Sequence, residues 1–363
     1  MVLCGSGALT LRANGKNGIK SGSTTQDGEA SLTIRDLTLT IDAPVNDAIN
    51  AEAALTVESG TLTLSAGDDA LHCDYTLNIG AAGTDGPRIT VTSCYEGLEG
   101  AAVNICSGSI DIHSADDCIN AANADLTGFS YQLNISGGTV TARSDSGDGF
   151  DSNGDLTISG GNVTVWTANA ADNEPLDADG TVTVSGGTVL AAGGSGGMGM
   201  SLAATQPCVI FTGSGAAGGM NMPGPGTLGG ASLLTQGTAF TVTSADGTDL
   251  YSGEAVYNAS FLFFSGDLSD GESYTLSAGE VQTVSAAQTG TVRTGMGSRG
   301  DGNIGGMGGM GGQRPDGATP PSGGFNGQKS EGTTPPGKPE AAPAQNSGSD
   351  EADDPSKQAK DGA

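Results

Sequence analysis

The sequence predicts an all-β chain: a parallel β-helix, then a small C-terminal β cap, then a disordered tail. Three observations carry that expectation. A short unit built on one apolar residue recurs at intervals of roughly 21 to 31 residues, the period range of a solenoid. Between the units run short segments that alternate apolar and polar residues, such as "LTISGG" and "NVTVW", which is the strand pattern. Ser-Gly-Gly marks the bend between such segments, and no stretch of the first 285 residues carries a long helical period.

The unit reads "GKNGIKS" from residue 15, "VNDAINAE" from 45, "AGDDALHCD" from 66, "SCYEGLEG" from 93, "SADDCINAAN" from 114, "GDGFDSNGD" from 147 and "NEPLDADG" from 173. Its apolar residue is in turn Ile19, Ile49, Leu71, Leu98, Ile119, Phe150 and Leu176. Each repeat is therefore strand, Gly turn, strand, bend and very short strand. One such rung has too little core to stand alone. Stacking pairs every strand with its copies above and below and buries one apolar column. Residues 1–200 are expected to form about eight rungs. Phe150, Leu156, Ile158, Val163 and Val165 should point inward, and Asp151, Thr157 and Thr164 outward. The N-terminus, which opens almost inside a rung as "MVLCGSGALT", is expected to be truncated. It has neither the basic start nor the apolar run of a signal peptide.

Residues 201–285 lose the unit but keep strand patterns ("PCVIFTG", "TAFTVTS", "SFLFFSGD") and should supply the last strands and a cap. Residues 286–363, with "GGMGGMGG" and "TTPPGKPE", have a composition that buries no apolar surface and are expected to be disordered. The "RGD" from Arg299 to Asp301 is a chance match in such a tail.

Composition excludes some functions. The chain has 363 residues, 63 of them Gly, with 4% aromatics and a formal charge of −28. Nucleic acid and anionic membrane are poor partners for that charge. No run of 18 apolar residues exists to span a bilayer. Cys73 and Cys118 fall at small inward positions, and the six cysteines fit no zinc spacing. Their disulfide state is not deducible from spacing.

Aligned on the apolar residue, the units place two columns of polar side chains on one edge. Two places before it stand Asn17, Asp47, Asp69, Glu96, Asp117, Asp148 and Glu174. One place after it stand Lys20, Asn50, His72, Glu99, Asn120, Asp151 and Asp177. Asp68 and Asp116 add a third acid in two rungs, and Asp74 and Asp179 lie three places after. Strands stack ~4.8 Å apart, so unneutralised carboxylates in register repel strongly. Lys and Arg do not balance them: residues 1–285 contain Arg12, Lys16, Lys20, Arg35, Arg88 and Arg143 alone. Several hard oxygen donors on one edge describe a Ca²⁺ site. The alternative is a solvated turn, since Asp and Asn favour turns for local reasons. The outer Thr rows are ordinary exposed strand residues. Asn78, Asn104 and Asn134 fall on consecutive rungs, as a stacking ladder or as sugar hydrogen-bonders. Trp166, the one Trp, makes a weak sugar platform by itself.

These units, with "LDADGTVTVSGGTVLAAGGSGGM" from residue 176, resemble the bacterial carbohydrate-binding domain-containing family over about residues 5–285. The resemblance implies a right-handed parallel β-helix similar in fold to pectate lyases. It implies calcium on the matching acids Asp68, Asp69, Glu96, Glu99, Asp116, Asp117, Asn120, Asp148 and Asp151, to which the columns add Asp74, Glu174, Asp177 and Asp179. The implied partner is acidic plant polysaccharide, polygalacturonic acid more strongly than cellulose, bound by a monomer outside the cell or on the bacterial surface. The first rungs depart from the pattern at Asn17 and Lys20. A binder without catalytic residues, a pectate lyase and a plain adhesin scaffold all remain open on the sequence. Arg143 is the one base near the acid-rich rungs that a lyase would need.

Overall fold

The computed structural model describes residues 1–22, 30–123, 126, 128–168, 173–194, 201–213 and 232–293. The tail expected to be disordered, with its RGD, lies outside them apart from its first residues. All regular structure among the described residues is β.

The repeat alternates apolar and polar residues because one face of each strand is buried and the other is not. Three columns of parallel strands result. The first runs through Val2–Cys4, Ser31–Arg35 and Ala54–Val57 and continues to Gln132–Ile135. The second runs through Ala8–Arg12, Thr38–Ala43, Thr61–Ala66, Arg88–Ser93, Ser109–Ser114 and Thr139–Ser144. The third contains the very short strands Ile19–Lys20, Ile49–Ala51, Ile119–Ala121 and Phe150–Ser152. Its register pairs Ile19 with Ile49, Ile49 with Leu71, Leu71 with Leu98, Leu98 with Ile119, Ile119 with Phe150 and Phe150 with Leu176. Every apolar residue of the sequence unit thus stacks on its copy in the next rung.

The solenoid has about seven turns, not about eight. The last strand of the first column, in Ser201–Thr212, is parallel to its neighbour only over Leu202–Ala204; antiparallel cap strands pair with that same stretch from the other side and with Cys208–Thr212, so it closes no further rung. Leu156, Ile158, Val163, Val165 and Phe150 are buried in one continuous core, as expected, while Thr157, Thr164 and Asp151 are partly exposed. Cys73 and Cys118 are buried in the same core, and none of the six cysteines is paired.

Two features of the unit have a physical cause. The second Gly of each Ser-Gly-Gly, at Gly138, Gly161 and Gly187, has φ between 82° and 90°, the left-handed region that Gly enters without strain. In the later rungs the ladder runs through this bend, so Asp155–Thr167 is one irregular strand and not two. The small residue between the two acids of the unit is set by space. A Cβ on Gly149 would lie 2.1 Å from Val165 Cγ1 and 2.5 Å from Pro175 O, and one on Gly97 would lie 2.2 Å from Cys118 O.

The cap differs in kind. Ala239–Ser244, Asp249–Glu254, Ser273–Ala278 and Val281–Ala286 form a four-stranded antiparallel sheet. Phe261–Ser265 and Gln288–Arg293 pair antiparallel with Val182–Gly193 and Ser201–Thr212 and so cover the last exposed ladder edge. Order therefore continues past residue 286, where the tail was expected to begin. A second core joins Trp166 and Leu190 of the solenoid to Phe211, Phe240, Phe264 and Leu276. Trp166 is 2% exposed and T-shaped against Phe240, so it is a seat for the cap and not a sugar platform.

Candidate functional site

The short third column brings the polar residues of the unit onto one edge. In each rung the amide after the leading acid donates to the carbonyl of the leading acid one rung on. Thus Ala48 N bonds Asp69 O at 2.9 Å, Ala70 N bonds Glu96 O at 3.1 Å, Gly97 N bonds Asp117 O at 3.0 Å, Cys118 N bonds Asp148 O at 3.2 Å and Gly149 N bonds Glu174 O at 2.9 Å. The leading acids are in register.

These acids also staple the rungs. The amide of Asp148 donates to Asp117 Oδ1 at 2.7 Å, and the amide of Glu174 to Asp148 Oδ1 at 2.6 Å. One oxygen of each of these two carboxylates thereby accepts an amide from the next rung. Ser144 holds the turn that delivers Asp148: its Oγ donates to Gly147 O at 2.9 Å and accepts from Gly147 N at 2.8 Å.

Two groups of side chains converge. In the later rungs Asp148, Asp151 and Asp177 each offer an oxygen within 4.8 Å of the others. In the earlier rungs Asp69, Glu96 and Glu99 do the same, and Asp47, Asp69 and His72 form an overlapping group. Asp117 links the two groups electrostatically, since Asp148, Asp151 and Glu96 all bear on it. Glu174 lies against Asp148 and Asp177. Asn120 donates Nδ2 to Glu96 Oε2 at 3.1 Å. Asp74 contacts His72 Nε2 at 3.1 Å. Asp68, Asp116 and Asp179 stand at the flanks: Tyr95 N donates to Asp68 O, Asp116 N donates to Tyr95 O, and Asp179 is exposed.

The electrostatics follow from burial plus like charge. Burial first, then the charges of Asp151, Asp177 and Glu174, push Asp148 up to about 8, against the bond from the Glu174 amide. Burial raises Asp117 to about 9, Glu96 and Glu174 to about 7 and Asp151 to about 6, with neighbouring carboxylates adding to each. Asp69 is driven well above the carboxylate range by burial, with Glu99 and Glu96 reinforcing it and His72 opposing. A counter-cation would favour the ionised form of these carboxylates. His72 belongs to the earlier group; the paired Lys and Arg residues lie outside both groups: Lys20 with Glu52 at 2.9 Å, Arg12 with Asp42 at 3.5 Å, Arg35 with Glu58 at 3.8 Å and Arg143 with Asp111 at 3.5 Å.

The donor set fits a metal cation on a further count. Asn50 Oδ1 and Asn120 Oδ1 are buried and have no hydrogen-bond partner among the described residues. Both belong to the column one place after the apolar residue. A buried carbonyl oxygen without a donor is a group that a hard cation satisfies.

The structure adds residues that the columns contained but that were not among the expected ligands, and others that the pattern did not contain. Asp47 and His72 belong to the earlier group. The visible signal was their place in the two columns. Tyr75, Phe129 and Tyr131 form a partly exposed aromatic cluster, with ring centroids 6.2 and 5.6 Å apart, beside Asp74. No sequence period announces it, because Phe129 and Tyr131 arrive from a loop. The Asn residues resolve as a ladder: Asn104 Nδ2 donates to Asn78 Oδ1 and Asn134 Nδ2 to Asn104 Oδ1, both at 3.1 Å.

Comparison with curated proteins and comparison with solved structures gave no match. The family model described as carbohydrate-binding domain-containing protein matches residues 1–199, the solenoid with its acid edge. The chain therefore belongs to the carbohydrate-binding domain-containing protein family.

Proposed function

We propose that the protein binds acidic plant cell-wall polysaccharide, polygalacturonic acid above all, in a calcium-dependent and non-catalytic way, outside the cell or at the bacterial surface. The observation that carries this reading is the edge of in-register, partly buried carboxylates on a solenoid of a carbohydrate-binding family. An acidic protein and an acidic polymer repel. Calcium on this edge supplies the positive charge that both share. Asp148, Asp151 and Asp177 furnish its oxygens, with Asp117 and Glu174 flanking them. Cellulose has no carboxylate and is the weaker ligand. Lyase chemistry requires a base beside the cation, and Arg143 is instead held on Asp111, in register between His113 and Trp166.

Sedimentation with insoluble polygalacturonate tests the reading. With calcium the protein should pellet, with chelator it should stay in solution, and no unsaturated uronide should form. Equal pelleting in chelator overturns the calcium dependence, and unsaturated product overturns the non-catalytic role.

A further inference from the structure

The column one place after the apolar residue changes chemistry at His72. Its neighbours in the ladder are Asn50 on one side and Glu99 on the other. His72 Nδ1 lies 2.9 Å from Asp69 Oδ2 and 2.6 Å from Glu99 Oε2, while Nε2 lies 3.1 Å from Asp74 Oδ1. We propose that this edge is a second cation site, distinct from the oxygen-only group at Asp148, Asp151 and Asp177. It takes a divalent transition ion, Zn²⁺ foremost, on His72 Nδ1 and the carboxylates of Asp69 and Glu99.

The donor chemistry supports the distinction. Calcium is held by six to eight oxygens, whereas an imidazole with carboxylates suits zinc. Ligand atoms ~2.0–2.1 Å from a tetrahedral zinc stand ~3.3 Å from one another; the His72 Nδ1 contacts, at 2.9 and 2.6 Å, are hydrogen-bond distances that a bound ion would widen by a few tenths of an ångström. The two ring nitrogens have separate tasks. Asp74 faces Nε2, the position of the carboxylate that orients a metal-bound histidine and fixes its tautomer, which leaves Nδ1 for the ion.

Asn50 is an independent pointer. It is 7% exposed, and its Nδ2 bonds Asp47 Oδ2 at 2.7 Å, which holds the amide against the group of Asp47, Asp69 and His72. Its Oδ1 has no partner among the described residues. A cation on this edge gives that oxygen a ligand role or a metal-bound water to accept from. The later group has no imidazole, so the two sites differ in kind on one continuous edge.

The test is equilibrium dialysis of the full chain against Zn²⁺, with and without millimolar calcium. Wild type should bind one zinc that calcium does not displace. His72→Asn, which restores the residue found at Asn50 and Asn120, should weaken zinc at least about tenfold and leave calcium binding intact. Asp148→Asn with Asp151→Asn should do the reverse. Nitrogen-resolved imidazole spectra of wild type give a readout that survives a poorly folding variant: zinc should shift His72 Nδ1 and not the exposed His113. Zinc bound equally by wild type and His72→Asn, or His72 ring nitrogens unmoved by zinc, would overturn the site and leave His72 as a protonated counter-charge. Neither arm involves polysaccharide, so failure of the zinc site and failure of the sugar reading are told apart.

Discussion

Around Leu71 the acid edge encloses an imidazole; around Phe150 it encloses acids alone. The backbone is the same in both places. Leu71 and Phe150 occupy the same ladder column, both are fully buried, and each is preceded two places earlier by an acid. What differs is how the repulsion is answered. His72 stands within hydrogen-bond reach of Asp69, Asp74 and Glu99. Burial alone would lower its basicity, but the hydrogen bonds that its ring donates to Asp69 and Glu99 overcome this and push it up to about 12. The Phe150 rung has no such base, and Asp117 and Asp148 instead hold protons to about 9 and about 8. Without a metal, one half carries its own positive charge, and the other depends on a proton or an added cation. A solenoid can vary this edge rung by rung without disturbing its core.

The largest expected effect tests what the halves share. Phe150→Ala removes a wholly buried anchor and should cost about 3–5 kcal/mol in calcium and in chelator alike. A loss confined to calcium would mean that Phe150 serves the cation and not the core. The next effect separates the halves by sign. In chelator, His72→Asn removes the base from among three carboxylates and should destabilise by about 2–3 kcal/mol. Asp148→Asn with Asp151→Asn relieves like charge and keeps the oxygens that bond the rungs, so it should be neutral or stabilising by up to about 1 kcal/mol. Denaturant melts of both variants check this, and the same sign in both would erase the comparison.

A smaller effect is read in pH. Asp148, Asp117, Glu96, Glu174 and Asp151 have folded values above those of the unfolded chain, so the folded state binds protons that the unfolded state has released. Their contribution is fully present below about pH 4 and is lost as pH rises through about 6 to 9. The metal-free protein should therefore lose stability over that window, and calcium should flatten the slope. Net negative charge acts in the same direction, so a charge-matched control is needed. Asp85→Asn with Asp249→Asn, both exposed, should leave the slope as it is, while Asp148→Asn with Asp151→Asn reduces it.

The register of the solenoid was legible because a strand has a fixed side-chain period and one buried face. Each of the apolar residues from Ile19 to Leu176 pairs with the residue that the alignment set beside it. The rung number and the start of the tail were less legible. Ser201–Thr212 keeps strand patterning while changing its partners from parallel to antiparallel, and Gln288–Arg293 is a strand within polar, Gly-containing sequence. The seat of the cap left a trace that went unread: the outward Thr141 and Thr164 give way to Leu190, and the outward Arg143 to Trp166, where Phe240 packs. In the site, the columns were legible but not the partners across rungs. The contact of His72 with Glu99 spans 27 residues and rests on side-chain reach. The stapling of Asp148 to the Glu174 amide is likewise invisible to a pattern of acids.

The central claim is that Asp148 and Asp151 flank Phe150 to hold a cation beside a buried anchor. Melting curves of wild type and of Asp148→Asn with Asp151→Asn, each in calcium and in chelator, test it most directly. Wild type should gain about 2.7 kcal/mol from calcium at a hundredfold excess over Kd. The double variant should lose most of that gain while melting in chelator no lower than wild type. An equal gain from calcium in both proteins would contradict the account and make the two acids a solvated turn.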